Sequence, residues 1–356
     1  MKAISLFSGC GGLDLGLEKA GFKVVLANDL SPICRDSYRI NRPRTQFHLG
    51  SVSDLTPKRL RELLGDELDD IGLLAGGPPC PPFSKSRFYR KEKLRGLADP
   101  IGWETVNGYL TVLRAARPKA FILENVPGMA YKVHEDALNL IIKRASSLGY
   151  KCVWKVLNAA DFGVPQMRER FFLVGMLGKT FDFPSPSHAK NPNDNSLKPW
   201  VPTGAVLKDL DTDENASDVG HFAGGSFNRE LKKIPPGENY LFFTAQRGHP
   251  KPLWKWRSRY WSFLLKLSPS MPSWTIQARR SNNMGPFHWR NRILRVEEIK
   301  RLQTFPDSWH LSGKIEDQWR QVGNAVPPLL AARLARHLFL RLRENAGREM
   351  SAACKA

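Results

Sequence analysis

Six short apolar runs separated by helix-length segments occupy the first 178 residues, and they restrict the fold more than any other feature of the chain. The runs are Ala3–Phe7, Val24–Ala27, Gly72–Ala75, Ala120–Leu123, Lys151–Leu157 and Arg170–Val174. Most are continuously apolar, as strands covered on both faces must be. Between them, Leu13–Ala20, Val106–Ala116 and Glu135–Ser147 read as helices. Strand, helix and strand in repeated order specify an α/β, doubly wound sheet. A length of 356 residues suits one large α/β domain with an insert, or two domains.

The composition changes after Gly178. Residues 179–238 are loop-rich, with five prolines between Pro184 and Pro202 and an acidic stretch from Asp209 to Asp218. Residues 239–296 contain no Asp or Glu, yet carry eleven Lys/Arg and eleven aromatics, five of them Trp. Regular helix returns from about Arg292 and ends in Leu329–Leu342. The whole chain has 54 Lys/Arg against 34 Asp/Glu, a net +20. Residues 85–95 hold +5 of this and residues 239–296 hold +11. Such an excess points to a polyanion, most often nucleic acid, although a cationic surface also simply aids solubility. A 42% hydrophobic content excludes a disordered chain.

The five cysteines, Cys10, Cys34, Cys80, Cys152 and Cys354, are odd in number and form no CxxC pair. That argues against a disulfide framework and against a zinc site, and makes the cytoplasm the expected compartment. Gly and Ser interrupt the opening MKAISLFSGCGG, so no signal peptide is expected. No run of about 20 apolar residues is present to span a membrane.

Several segments carry chemistry. Ser8-Gly9-Cys10-Gly11-Gly12 follows the first strand and precedes a helix. Its glycines let backbone approach a ligand, but a plain tight turn would look the same. It matches neither GxGxxG nor a P-loop. The second strand ends at Asp29, where an acid can bind ribose hydroxyls or simply cap the next helix. Gly76-Gly77-Pro78-Pro79-Cys80-Pro81-Pro82-Phe83-Ser84 presents one thiol at the carboxyl end of a strand, the edge where α/β sheets place their chemistry. A thiolate nucleophile is the sharper reading, an inert buried Cys the blander one. The basic loop Lys85–Arg95 that follows suggests a lid closing on phosphates. Glu124-Asn125-Val126 ends another strand, 44 residues after Cys80, a spacing that suits one crossover and neighbouring strands. In Gln166-Met167-Arg168-Glu169-Arg170, alternation would place Arg168 and Arg170 on one face, able to hold a phosphate or a base carbonyl.

Taken together, these segments resemble the C5-cytosine DNA methyltransferase family, of the bacterial restriction-modification type. The resemblance is ordered and nearly end to end. It extends to Arg301-Leu302-Gln303-Thr304-Phe305-Pro306-Asp307 and to Gln321-Val322-Gly323-Asn324-Ala325-Val326-Pro327-Pro328. It implies a Rossmann-like S-adenosylmethionine-dependent methyltransferase domain over residues 1–178 and 290–356. An inserted, smaller target-recognition domain would span residues 179–289. The implied cofactor is S-adenosylmethionine, contacted by Phe7, Gly9, Cys10, Gly11, Gly12, Asp29, Leu30, Ser51, Pro78, Asn324 and Val326.

The resemblance also implies the chemistry. Cys80 adds to C6 of cytosine, Glu124 holds N3, Arg170 contacts O2 and Arg168 supports the site. None of this can happen on a stacked base, and flipping the target nucleotide out of the duplex is a known property of methyltransferases as a class. Ser84, Lys85, Arg87 and Arg90 would contact DNA beside the nucleophile. In the insert, Arg279 and Arg280 in the polar stretch Gln277–Asn283 are the expected base readers. The aromatics there, Trp254, Trp261 and Trp274 included, are expected to build a core. Pro81 stands where the family commonly has Gln, Ser51 where it often has an acid, and Ser5 where many members have Asp.

The expected partner is duplex DNA, the chain acting as a monomer, without metal or membrane, alongside a separately encoded restriction endonuclease. Two alternatives share these motifs: a tRNA cytosine methyltransferase, and a catalytically silent DNA-binding protein on the same scaffold.

Overall fold

The structure is a computed structural model and describes residues 1–79, 81–83, 94–192, 196–213, 222–257 and 260–353. In chain order the strands are β1 (Lys2–Leu6), β2 (Lys23–Asp29), β3 (Gln46–Leu49), β4 (Ile71–Gly76), β5 (Ala120–Asn125), β6 (Tyr150–Asn158), β7 (Gln166–Met167), β8 (Glu169–Leu177), β9 (His188–Ala189), β10 (Lys198–Pro199) and β11 (Ser273–Trp274). The α-helices are α1 (Gly12–Ala20), α2 (Pro32–Asn41), α3 (Pro57–Leu64), α4 (Pro100–Ala116), α5 (Glu135–Ser147), α6 (Thr203–Leu207), α7 (Asn228–Lys233), α8 (Val296–Leu302), α9 (Ile315–Asn324) and α10 (Pro328–Ala353).

Two compact units emerge. The first comprises Met1–Asn158, Glu169–Ser185 and Pro328–Ala356; the second comprises Ala159–Arg168 and Pro186–Pro327. These boundaries differ from the expected insert at 179–289. Residues 159–168 and 290–327 pack with the insert, because Gln166 and Arg168 are tied by hydrogen bonds to Ile276, Gln303, Gly323 and Ala325.

The first unit is built on a seven-stranded sheet in the order β3-β2-β1-β4-β5-β8-β6. Six strands run in one direction and β8 alone runs against them, pairing antiparallel with both β5 and β6. β4 and β5 are buried along their whole length, which is why β4 and the Ala120–Leu123 part of β5 read as apolar runs. β3 has no fully buried residue, so the sequence carries no apolar run for it. α2 and α3 also fall outside the expected helices, although each has a local start signal: Ser31 and Thr56 cap them and a proline follows.

α1 lies against α10 so closely that a Cβ on Gly16 would stand 2.3 Å from Ala331 Cβ. Gly21 ends α1 at φ 105°, its N–H and that of Phe22 closing on Glu18 and Leu17 carbonyls.

The second unit holds little regular structure. A buried ion pair organises one part: Arg292 grips Glu298 through both terminal nitrogens, at 2.8 and 2.6 Å. The same guanidinium donates to the Leu210 and Thr212 carbonyls. Beside it, burial holds His288 down at about 4, so its ring is neutral. An aromatic cluster of Phe227, Tyr240, Phe243, Trp254 and Phe263 organises another part.

Candidate active site

β4 and β5 are parallel neighbours with Gly76 opposite Leu123. The loop that starts at Gly77 therefore leaves the sheet directly beside Glu124. The fit is tight enough to demand glycine: a Cβ on Gly77 would stand 2.6 Å from Glu124 Oε2. Asn125 reaches back across the gap, its Nδ2 donating to the Pro78 carbonyl at 3.2 Å. Pro78 is thus held by the residue after Glu124, and both sequence motifs meet at one sheet edge. Cys80, Ser84, Lys85, Arg87 and Arg90 lie outside the described residues.

The backbone on either side of that stretch is packed. A Cβ on Gly128 would stand 2.1 Å from the Phe83 carbonyl oxygen, and one on Gly102 would stand 2.1 Å from the Gly96 carbonyl oxygen. The Phe83 ring meets His134 edge-on, with centroids 5.3 Å apart.

Glu124 is buried at the end of β5, and Arg170 Nε lies 3.0 Å from its Oε1. The pair follows from register. β8 runs antiparallel with Glu124 opposite Phe172, so Arg170, two residues away on the same face, reaches the carboxylate. A second Arg170 nitrogen donates to the Glu169 carbonyl at 2.7 Å.

Arg168 does not share that arrangement. The alternation expected to join it to Arg170 is interrupted, β7 ending at Met167 and β8 starting at Glu169. The alternation argument fails there because Arg168 belongs to the second unit. It is buried, and donates to the carbonyls of Ile276 (3.0 Å), Gly323 (2.8 Å) and Ala325 (3.1 Å). Gln166 is held equally firmly, donating to Gln303 Oε1 and accepting from the Ile276 N–H.

The glycine turn fits a nucleoside ligand on its own geometry. Gly9 has φ 54°, Gly11 has φ 87° and even Phe7 has φ 55°, so the chain coils tightly between β1 and α1. A Cβ on Gly9 would meet nothing within 4 Å, which leaves open space above the turn. Gly12 begins α1, and Gly11 closes the turn on the Ser8 carbonyl. Asp29 stands beside it. One carboxylate oxygen accepts the Gly9 N–H at 2.9 Å and the other accepts the Ser31 N–H at 2.9 Å. Burial raises this carboxyl above the usual range, while those N–H donors pull it back. Leu30, next to it, is 65% exposed. A carboxylate acceptor beside an exposed apolar side chain could hold a ribose diol and its base.

Two cofactor candidates have other commitments. The Cys10 side chain is buried, and burial pushes its thiol well up, which leaves only its backbone to meet a ligand. The Ser51 hydroxyl donates to Glu104 Oε1 at 2.6 Å and accepts the Ser53 N–H. Glu104, on α4, is an acid that sequence reasoning misses, because 53 residues separate it from Ser51. In the second unit Asn324 ends α9 and is exposed, while Val326 is buried.

Arg280 is corrected as a base reader. It is 6% exposed, lies 5.9 Å from the Trp319 ring and 3.5 Å from Glu316. Its neighbour Arg279 is exposed. Trp254 packs among core aromatics as expected, but Trp261 and Trp274 do not. They pack on each other at the surface, centroids 5.2 Å apart. Among the described residues, no group of three or more His, Cys, Asp or Glu could hold a metal ion, and no helix is long and apolar enough to cross a membrane.

Comparison with known proteins identifies the family. The model of a family described as C-5 cytosine-specific DNA methylase matches residues 1–340. The chain is 37% identical to the type II methyltransferase M.SacI of Streptomyces achromogenes, over 96% of this chain and 93% of that one. It is 32% identical to the type II methyltransferase M.NgoFVII of Neisseria gonorrhoeae, over 95% and 86%. Among solved structures, a prophage-encoded E. coli protein described as a DNA modification methyltransferase superposes with a TM-score of 0.69 at 21% identity, covering 96% of this chain and 99% of that one. The Dnmt2 methyltransferase of S. pombe superposes with a TM-score of 0.58 at 17% identity, over 97% and 98%. At these identities the structural likeness is one of fold.

Proposed function

The chain belongs to the C-5 cytosine-specific DNA methylase family, and from that premise we propose that it methylates cytosine at C5 within one specific duplex sequence, through a covalent bond between Cys80 and C6 of a flipped-out base. The observation that carries this reading is the meeting of the Gly77-Pro78-Pro79 loop with the buried Glu124–Arg170 pair. A strand-end carboxylate, fixed by a guanidinium and adjacent to a loop that bears one thiol, suits addition to a ring and proton exchange on it.

Each group then has a role. The Cys80 sulfur forms a bond to C6, and the C5–C6 electron pair becomes available at C5. Glu124 holds the protonated N3, so the charge that would build on the ring is neutralised. Arg170 keeps Glu124 in place and turns its remaining N–H groups toward the cytosine O2. S-adenosylmethionine, when bound, supplies the methyl group that the activated C5 receives. The C5 proton then leaves to a base, the C6–S bond breaks, and Cys80 returns as a thiolate. Phe7, Gly9, Gly11, Gly12, Asp29, Leu30 and Pro78 are the residues of the first unit that would hold the cofactor. Arg168 acts at a distance by keeping the backbone at Ile276, Gly323 and Ala325 in place.

The protein would work as a monomer in the cytoplasm, where its DNA is, and a separately encoded endonuclease cutting the same sequence would be its partner. The test is transfer of label from S-adenosylmethionine to unmethylated duplex DNA and to tRNA, followed by bisulfite sequencing of the DNA. Label at cytosine C5 in one sequence context is expected. Label in tRNA alone would overturn the reading. Cys80→Ala should abolish transfer while retaining DNA binding; residual transfer would remove Cys80 as the nucleophile.

A further inference from the structure

The eleven Lys/Arg of residues 239–296 face no acid of their own segment, but the fold uses most of them for structure. Lys266 is buried against the Ile234 carbonyl. Arg280 lies on Trp319, Arg290 bonds to Asp211 and Asp213, and Arg292 and Arg295 surround Glu298. Arg247 stands 3.6 Å from Glu238. Of the cations that remain among the described residues, Lys251, Lys255 and Arg257 are exposed within seven residues of one another.

That stretch, Lys251-Pro252-Leu253-Trp254-Lys255-Trp256-Arg257, is anchored by its middle and its end. Trp254 points inward, its ring 5.4 Å from Phe263, 5.6 Å from Phe227 and 5.7 Å from Phe243. The Leu253 N–H donates to the Phe243 carbonyl at 2.9 Å. The Tyr240 hydroxyl accepts the Arg257 N–H at 2.8 Å and donates to the Arg257 carbonyl at 2.9 Å. With Trp254 inward, Lys255 and Trp256 are left outward, and Trp256 is 53% exposed. A few residues on, Trp261 and Trp274 form a tilted surface pair, 37% and 40% exposed. Trp274 is fixed by the pairing of β11 with β7, and the Trp261 carbonyl accepts from Asn239.

Exposed indoles on a backbone this firmly held are costly to hydrate and point to a partner with flat apolar faces. Lys251, Lys255 and Arg257, exposed in the same stretch as Trp256, call for an anionic one. We propose that Lys251, Lys255, Arg257 and Trp256, extended by the Trp261–Trp274 pair, form the DNA-contacting surface of the second unit. The cations take phosphates, and the indoles lie against deoxyribose and against base edges in a groove. This rests on the reading that duplex DNA is the substrate, and it replaces the buried Arg280 with exposed residues of the same unit.

The experiment measures anisotropy of a labelled random-sequence duplex with the full-length protein across a salt series. Replacing Lys251, Lys255 and Arg257 together by Gln should weaken binding and reduce the slope of log affinity against log salt by about 2 to 3, one increment per lost phosphate contact. Trp256→Ala should weaken binding about tenfold with that slope unchanged, and Trp256→Phe should restore most of it. All four side chains are exposed, so melting temperature and S-adenosylmethionine affinity should match the wild type. Wild-type affinity and slope in the triple variant, or wild-type affinity in Trp256→Ala, would overturn the proposal. So would a defect seen only with tRNA in place of the duplex. Because the wild type is assayed for cytosine labelling in parallel, failure of this surface is distinguishable from failure of the substrate assignment.

Discussion

Arg170 Nε and Glu124 Oε1 stand 3.0 Å apart, on two strands that run in opposite directions, with both side chains nearly sealed from water. A carboxylate so placed is held by its partner and cannot swing. The pair therefore joins a stability role to the proposed chemical one.

Glu124→Gln keeps the shape and removes the charge. Methyl transfer should fall roughly 10²- to 10⁴-fold, the range for a lost acid–base group. S-adenosylmethionine affinity, measured by calorimetry, should not move. Arg170→Ala should instead cost stability as well, about 3 kcal/mol in urea unfolding, because a buried carboxylate loses its fixed cation. Unchanged turnover in Glu124→Gln would remove it from the reaction.

Gly77→Ala tests the close approach of the loop to Glu124. A methyl group placed 2.6 Å from Oε2 must displace either the carboxylate or the loop. Steady-state kinetics should show turnover down on the order of 100-fold. The melting temperature should change little, since the site and not the core absorbs the shift.

Arg168 should behave as a scaffold residue. Arg168→Ala leaves three carbonyls without their shared donor, which should destabilise the protein by roughly 3 kcal/mol. Arg168→Lys should recover only part, because an ammonium cannot span carbonyls on separate chain segments as a fork does. Both variants should retain DNA affinity in proportion to the folded fraction; a selective loss of DNA affinity would contradict the assignment.

Asp29 should make cofactor binding pH-dependent. Burial raises its carboxyl above the ordinary aspartate value of 3.8. As pH falls, it should gain a proton earlier than an ordinary aspartate, losing acceptor strength toward a ribose diol. S-adenosylmethionine affinity should therefore decline from a pH above the ordinary aspartate range, and Asp29→Asn should flatten that decline. The stability sign is opposite. The folded state binds this proton more tightly than the unfolded chain, so the Asp29 contribution falls as pH rises through the window above 3.8. Parallel titrations of affinity and of unfolding free energy separate the two effects.

Much of the first unit is legible in its sequence. β4 and β5 can be read because strands buried on both faces must be apolar throughout. Asp29 and Glu124 can be placed because both stand at strand ends. β3 cannot, because a half-covered edge strand leaves no apolar run. The Ser51–Glu104 contact cannot either, because a hydrogen bond across 53 residues leaves no local trace. Arg168 and Arg170 cannot be told apart by alternation. That rule holds only inside one continuous strand, and the chain leaves one strand for another between them.

By itself, the sequence determined the doubly wound order of the first unit and the family, since burial pattern and local motif are written residue by residue. Tertiary structure alone decided how the charge is used. A net +11 over residues 239–296 is the same number whether its cations face solvent or each other. Arg280 and Arg292 are buried beside Glu316 and Glu298, acids further along the chain, while Lys255 and Arg257 stay at the surface. Pairing of that kind depends on which distant segments fold against one another, and the order of charges along the chain carries no record of it.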